Sequence, residues 1–208
     1  MVTSLKCECF LDVILTRRSI RWFKPDPIPN DILLRIIEAG TRAPTAGGGE
    51  QWFFIIVKDA EKRKKIHKLL LEAHKKYAIE VLRSPLPSAK VEKWMKRIIE
   101  GMYLAPIYIA AYIDLRERLF NDSFLEFERV SAIQSLATAI ENILLTAHSM
   151  GLGAVWLGVP LLMRNEFNKI LEPPRRCELQ GLIALGYPNE DVKPRARRKK
   201  VKDVIKII

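Results

Sequence analysis

The stretch from Val130 to Met150 constrains this chain more than any other. Val130, Ile133, Leu136, Ala137, Ile140, Ile143, Leu144 and Ala147 recur at the i, i+3, i+4, i+7 spacing of one helical face. No glycine or proline interrupts the run, and Gly151 is placed to end it. A helix of that length is a rod of about 30 Å whose apolar stripe must be covered by something. Short apolar runs supply the cover. Trp52 to Val57 is a continuous apolar run of strand length, expected to be covered on both faces. Ile107 to Ile113, Gly153 to Gly158 and Leu179 to Leu185 read as three further strands.

Helical segments alternate with these strands. A short helix is expected at 8–16, before an extended stretch enforced by Pro25, Pro27 and Pro29. Asn30 or Asp31 is a suitable N-cap for the next helix, which carries Ile32, Leu33, Ile36 and Ile37 and has Gly40 near its end. Ala60 to about Lys76 reads as a charged amphipathic helix. Residues 77–102 read as an excursion or lid, broken by Pro85 and Pro87 and resuming as a helix over Val91 to Met102. Trp94, Met95, Met102 and Tyr103 either line a pocket from that lid or simply pack. Residues 114–127 are charged and turn-like. The class is mixed α and β, with neither an internal repeat nor a linker to divide residues 1–208 into more than one domain.

Composition bounds the function. Hydrophobic residues make up 49% of the chain, enough for a substantial core. No apolar run approaches the roughly 18 residues of a membrane span, and Lys6, Glu8 and Asp12 interrupt any signal-peptide pattern. The expectation is a soluble, cytoplasmic protein. Cys7 and Cys9 form a C-x-C pair without a second pair, Cys177 stands alone, and His67, His74 and His148 show no zinc-ligand spacing. No metal site is expected, and the cysteines read as structural or incidental. The net charge of +11 is concentrated: from Lys193 onward eight Lys or Arg face one acid, Asp203, giving +7. Such a tail suits nucleic acid, a solvated terminus or a phosphate clamp.

Chemical motifs are scarce. Gly151-Leu152-Gly153 lacks the third glycine of a dinucleotide fingerprint, and Gly47-Gly48-Gly49 is not followed by the Lys-Ser or Lys-Thr of a P-loop. No serine elbow, zinc helix or carboxylate pair is visible. An enzyme with this sequence would borrow its chemistry from a cofactor. Two arginine clusters mark where an anionic one could bind: Arg17, Arg18 and Arg21 near the start, and Arg195, Arg197 and Arg198 near the end. Guanidinium forks match phosphate oxygens.

Five motifs, in order over about residues 12 to 205, resemble the FMN-dependent nitroreductase family. They are Arg17-Arg18-Ser19-Ile20-Arg21 with the prolines after it, Ala39 to Ala46, Ala139 to Ala147, Gly151 to Gly158, and Ala184-Leu185-Gly186-Tyr187-Pro188 with the arginine-rich run beyond. The resemblance implies an α+β fold with a central, mostly antiparallel sheet flanked by helices. It also implies a homodimer with FMN at the subunit interface. Arg17, Arg18 and Ser19 would hold the FMN phosphate or ribityl chain, and Arg21 would approach the pyrimidine edge, where reduction builds negative charge. Backbone near Leu157 and Gly158 would lie beside the central ring, and Arg197, Arg198 and Arg195 would complete the phosphate grip. Many members carry an Asn in the glycine loop and Gln-Pro before the Trp; here Gly47, Gly48 and Gly49 precede Glu50, Gln51 and Trp52. Backbone contacts from Gly47 and Gly48 would replace the Asn. The implied reaction takes a hydride from NAD(P)H through flavin N5 to a nitroaromatic or quinone, with no catalytic side chain. Other members dehalogenate, desaturate or destroy flavin, and a non-enzymatic nucleic-acid role for the tail is the rival of another class.

Overall fold

The computed structural model describes residues 4–191 and 198–208. The elements follow one another as α1 (Ser4–Thr16), α2 (Asn30–Thr41), β1 (Trp52–Val57), α3 (Ala60–Lys76), α4 (Ser88–Ile99), β2 (Ile107–Asp114), α5 (Leu125–Ser149), β3 (Gly153–Leu157), α6 (Arg164–Leu171) and β4 (Cys177–Gly186). The four strands form one antiparallel sheet in the order β1-β2-β4-β3.

Side-chain alternation along the central strands divides the core in two. On β2, Tyr108, Ala110 and Tyr112 face one layer with Ile66 and Leu70 of α3 and Met95 and Ile98 of α4. Ile107, Ile109, Ala111 and Ile113 face the other, with Ile36 of α2 and Leu136, Ile140 and Ile143 of α5. Each large side chain so buried stabilises the fold by about 1.5–3 kcal/mol relative to exposure. The helices lie on both faces because both faces of β2 and β4 are apolar.

Three expectations are corrected. β1 is an edge strand, and five of its six residues are only half-buried, because a short apolar run does not distinguish edge from centre. Neither Asn30 nor Asp31 caps α2: Pro29 holds the cap position, and the Asn30 Oδ1 accepts from Lys58 Nζ at 2.6 Å. The buried face of α5 is also rotated from the apolar stripe. Val130 is exposed, while Glu128, Ser131 and Ser135 lie on the buried side with Ala132, Leu136, Ala139, Ile140, Ile143, Leu144 and Ala147.

The segment 77–102 folds as a π-helical turn (Tyr77–Val81) followed by α4, which packs onto α3 through Val91, Met95 and Ile98. Met95, Met102 and Tyr103 are buried there, and His74 stacks on Tyr103 with ring centroids 4.8 Å apart. The span Asp122–Ser149 is long and apolar enough to cross a membrane, but half of its apolar window is buried inside this fold.

Candidate functional site

The first arginine cluster is built by the end of α1 and the edge of β3. Thr16, the last residue of α1, places Oγ1 at 2.9 Å from His148 Nε2 on α5. The chain then runs along β3: Ser19 forms a parallel bridge with Ala154, and the Ile20 N–H donates to the Ala154 carbonyl at 3.1 Å. Gly153 makes that approach possible, since a Cβ there would come 2.7 Å from Ile20 Cβ. Arg17, Arg18 and Ser19 are therefore fixed against the sheet and half-buried.

The guanidinium groups are only partly satisfied. Arg18 Nη1 donates to the carbonyls of Leu15 and Arg17 at 2.9 and 2.8 Å. Arg17 Nε lies 3.3 Å from Glu141 Oε1, an ion pair without hydrogen-bond alignment. The Nε atoms of both arginines are buried and have no hydrogen-bond partner among the described residues. A buried donor without an acceptor costs about 1–3 kcal/mol, so two adjacent ones point to an acceptor from outside the chain. The positive field is felt nearby: burial, and then the charges of Arg17 and Arg18, lower the pKa of His148. A neutral imidazole bonded to Thr16 is a structural neighbour of the corner, as its place in the sequence suggested.

Further along β3 an exposed Trp156 stands two residues before a glycine. Leu157 is buried, and Gly158 is exposed with nothing within 4 Å of an added Cβ. On the adjacent β4, Gly181 takes φ +148°, and a Cβ there would meet Leu157 O at 2.8 Å and Trp156 Nε1 at 2.4 Å. Glycines thus give a bare rim at Gly158 and close contact behind it. A flat group could approach the backbone here.

Arg21 closes the corner toward the end of the chain. Its Nη1 donates to the Ser19 carbonyl at 3.0 Å. The N–H groups of Arg21 and Trp22 donate to Glu190 Oε1 at 2.5 and 3.2 Å. Lys24 N–H donates to Tyr187 O, Asn189 N–H donates to Trp22 O (2.9 Å each), and Phe23 bridges Pro188. This strip brings the chain that leaves β4 alongside the first arginine cluster. Arg195 and Arg197 lie outside the described residues. Arg198 is exposed and lines a cavity of about 380 Å³ with Lys199, Lys200 and Asp203.

The glycine loop sits at the other end of α5. Gly47 and Gly48 take φ of +57° and +69°, the left-handed region that an L side chain resists. Both are exposed, and an added Cβ on Gly48 would meet nothing within 4 Å. The loop is anchored by the Ala46 N–H donating to Ser135 Oγ at 3.1 Å and the Glu50 N–H donating to Thr45 Oγ1 at 2.9 Å. The positive φ expected of these glycines is present. The Gln51 amide is turned inward: Gln51 is buried and donates to Glu128 Oε1 at 2.8 Å and to Glu117 O at 3.2 Å.

Sequence reasoning missed two carboxylates. Glu190 could have been sought as the acid two residues after the Gly-Tyr-Pro motif. Glu128 is a fully buried acceptor for Gln51, the Leu119 N–H and Arg118. Burial acts to raise its pKa, but the Leu119, Arg118 and Gln51 donors outweigh that and hold it below the ordinary carboxylate value. Its signal was helical spacing, three residues before Ser131 and four before Ala132. Cys177 is buried, and burial together with the Asp114 charge raises its thiol to about 11, so it carries no thiolate at neutral pH. Among the described residues no group of three His, Cys, Asp or Glu could hold a metal ion.

Known proteins share this arrangement. The profile of the nitroreductase family matches residues 14–187. An Archaeoglobus fulgidus protein, provisionally named NADH dehydrogenase/NAD(P)H nitroreductase, is 30% identical over 186 residues, covering 88% of this chain and 87% of its own. The iodotyrosine deiodinase of Danio rerio is 22% identical, covering 98% of this chain and 68% of that protein. A crystal structure of a nitroreductase with bound FMN from Desulfitobacterium hafniense superposes with TM-score 0.71 at 23% identity, over 96% of this chain and 98% of that one. At that identity it shows the fold, and the match of sequence profile and fold together gives the conclusion: this chain is a member of the nitroreductase family.

Proposed function

We propose that the chain is an FMN-dependent oxidoreductase that draws reducing equivalents from NAD(P)H and delivers them to an electron-poor acceptor such as a nitroaromatic or quinone. The observation that carries the reading is the pair of buried Nε donors of Arg17 and Arg18, neither with a hydrogen-bond acceptor among the described residues and only Arg17 with a carboxylate, Glu141, nearby, held against β3 beside the exposed Gly158. These residues fit the group. Arg17, Arg18 and Ser19 would bind the phosphate end, with charge-assisted hydrogen bonds that are roughly twice as strong as neutral ones. Arg21 would supply fixed positive charge where negative charge develops. Gly158, and the left-handed Gly47 and Gly48, would offer backbone without side-chain obstruction. When bound, FMN supplies the hydride acceptance and release at N5 that no side chain of the chain itself can provide.

The proposed assembly is a homodimer. Phe10, Leu11, Ile14 and Leu15 on α1, and Phe124, Phe127 and Val130 at the start of α5, are exposed apolar side chains that a second copy would cover. A second reading, reductive dehalogenation on the same site, is favoured by the deiodinase likeness, which runs along 98% of this chain. Anaerobic mixing with NADH or NADPH separates the possibilities. Bleaching of the flavin absorbance, reversed by a nitroaromatic or quinone, supports the first reading. Reversal only by a halogenated phenol supports the second, and no bleaching by either nucleotide removes the NAD(P)H donor.

A further inference from the structure

Glu128 stands in the first turn of α5 with 0% of its surface exposed, and the reading above gives it no task. Its oxygens collect donors from two segments that flank the glycine loop. Oε1 accepts from the Gln51 amide at 2.8 Å and from the Leu119 backbone N–H at 2.6 Å, and Oε2 accepts from the Arg118 guanidinium. Gln51 is the second residue beyond Gly49. The Leu119 side chain lies on the loop itself: a Cβ on Gly49 would come 2.2 Å from Leu119 Cδ1, and one on Gly47 would come 3.8 Å from it.

Stability alone is a poor reason for this carboxylate. A buried ion pair gains little over a well-packed apolar group, because desolvation offsets the attraction. What an apolar residue could not do is fix two separate backbone segments at once. Through Gln51 the carboxylate holds the exit of the loop, and through Leu119 it holds the side chain that covers the loop's inner side. The entry is held independently, by Ser135 on the same face of α5.

We propose that Glu128 is the positioning residue of the glycine loop. It keeps Gln51 and Leu119 where Gly47 and Gly48 retain their left-handed conformation and present backbone, not side chains, to the flavin. The proposal rests on the flavin reading above. It also accounts for the amide turned inward at Gln51: in this chain that side chain serves the loop's shape.

The test compares wild type, Glu128→Gln, Leu119→Ala and the double variant. FMN dissociation constants are measured by quenching of flavin fluorescence well below every melting temperature, with hydrogen exchange at residues 46–51 followed on the same samples. Each single variant is expected to weaken FMN binding about tenfold and to speed exchange in the loop. The double variant should lose less than the sum of the two singles, since part of what Glu128 does is to place Leu119 through its backbone N–H. Arg17→Ala, acting elsewhere, should add to either. A residue that merely stabilised the fold would lower the melting temperature and leave both readouts at wild-type values. Unchanged FMN affinity in both single variants of a flavin-binding wild type overturns the proposal and leaves the flavin reading standing. A wild type that takes up no FMN overturns both.

Discussion

The arginine corner and the glycine-loop corner lean on the same helix and treat their polar groups in opposite ways. At the first, Arg17 Nε has only the ion pair with Glu141 and Thr16 reaches His148, yet the buried Nε donors of Arg17 and Arg18 make no hydrogen bond among the described residues. At the second, the buried carboxylate of Glu128 has three donors, and the loop's Ala46 and Glu50 N–H groups each have an acceptor. A satisfied network specifies shape, whereas unsatisfied donors specify a ligand. On the reading proposed above, one corner binds and the other holds a loop in place.

The largest expected effect falls on the satisfied corner. Glu128→Ala leaves Arg118, Gln51 and the Leu119 N–H without their acceptor and should cost about 3 kcal/mol of stability, read from the urea midpoint. Arg17→Ala at the other corner should act on binding with little effect on stability. It should lower FMN affinity by about tenfold to a hundredfold while moving the urea midpoint little. A large stability loss with unchanged flavin affinity would erase the distinction between the corners.

Next in size is Gly153→Ala, which forces a methyl to within 2.7 Å of Ile20 Cβ and should separate the Ser19 segment from β3. Overpacking of this kind costs about 1–3 kcal/mol, and here flavin binding should fall with it, because the arginines lose their backing strand. Gly48→Ala is the control at the other corner. It meets no atom within 4 Å but must adopt φ +69°, so its cost, about 1 kcal/mol of backbone strain, should appear without any packing defect.

Acid should act in two stages. Burial holds His67 and His74 below the ordinary histidine value, so the unfolded chain takes up protons that the folded one refuses. Their contribution is complete above about pH 6.5 and is lost as the pH falls below it. Glu128, also lowered, adds a second loss beginning near the ordinary glutamate value of about 4.3. Chemical denaturation across pH should show the second stage reduced in Glu128→Gln, the remainder belonging to Asp114, whose hydrogen bonds from Arg116 hold it below the ordinary aspartate value, and the first stage retained. The smallest effect is at the surface, where Lys96→Ala, removing a 3.8 Å pair with Glu100, should change stability by about 0.5 kcal/mol or less.

Much of this was legible in the sequence where one physical cause dominates. Helical periodicity located α3 and α5, apolar runs located the four strands, and the glycines that take positive φ at Gly47 and Gly48 were marked by their own permissiveness. Where two causes compete, the sequence was ambiguous. Asn30 is an excellent N-cap by type, but its side chain bonds Lys58 from a distant segment. Glu128, Ser131 and Ser135 break an apolar stripe while lying on the buried face: the two serines donate to the carbonyls four residues back, whereas Glu128 accepts from Gln51, a partner that sequence spacing does not reveal. β1 reads like a central strand, and only the strand order shows it at the edge. The family motifs marked Arg17 to Arg21 and Leu157 to Gly158 as separate segments, but the bridge from Ser19 to Ala154 and the pairing of Glu190 with the Arg21 and Trp22 amides needed the fold.

The most direct measurement is a parallel titration of the flavin-stripped protein with FMN and with riboflavin, which lacks the phosphate. An arginine corner that grips phosphate predicts FMN binding at about one per chain, and tighter than riboflavin by about a hundredfold, the worth of one or two charge-assisted hydrogen bonds. Equal affinity for the two flavins, or no uptake of either, would contradict the account.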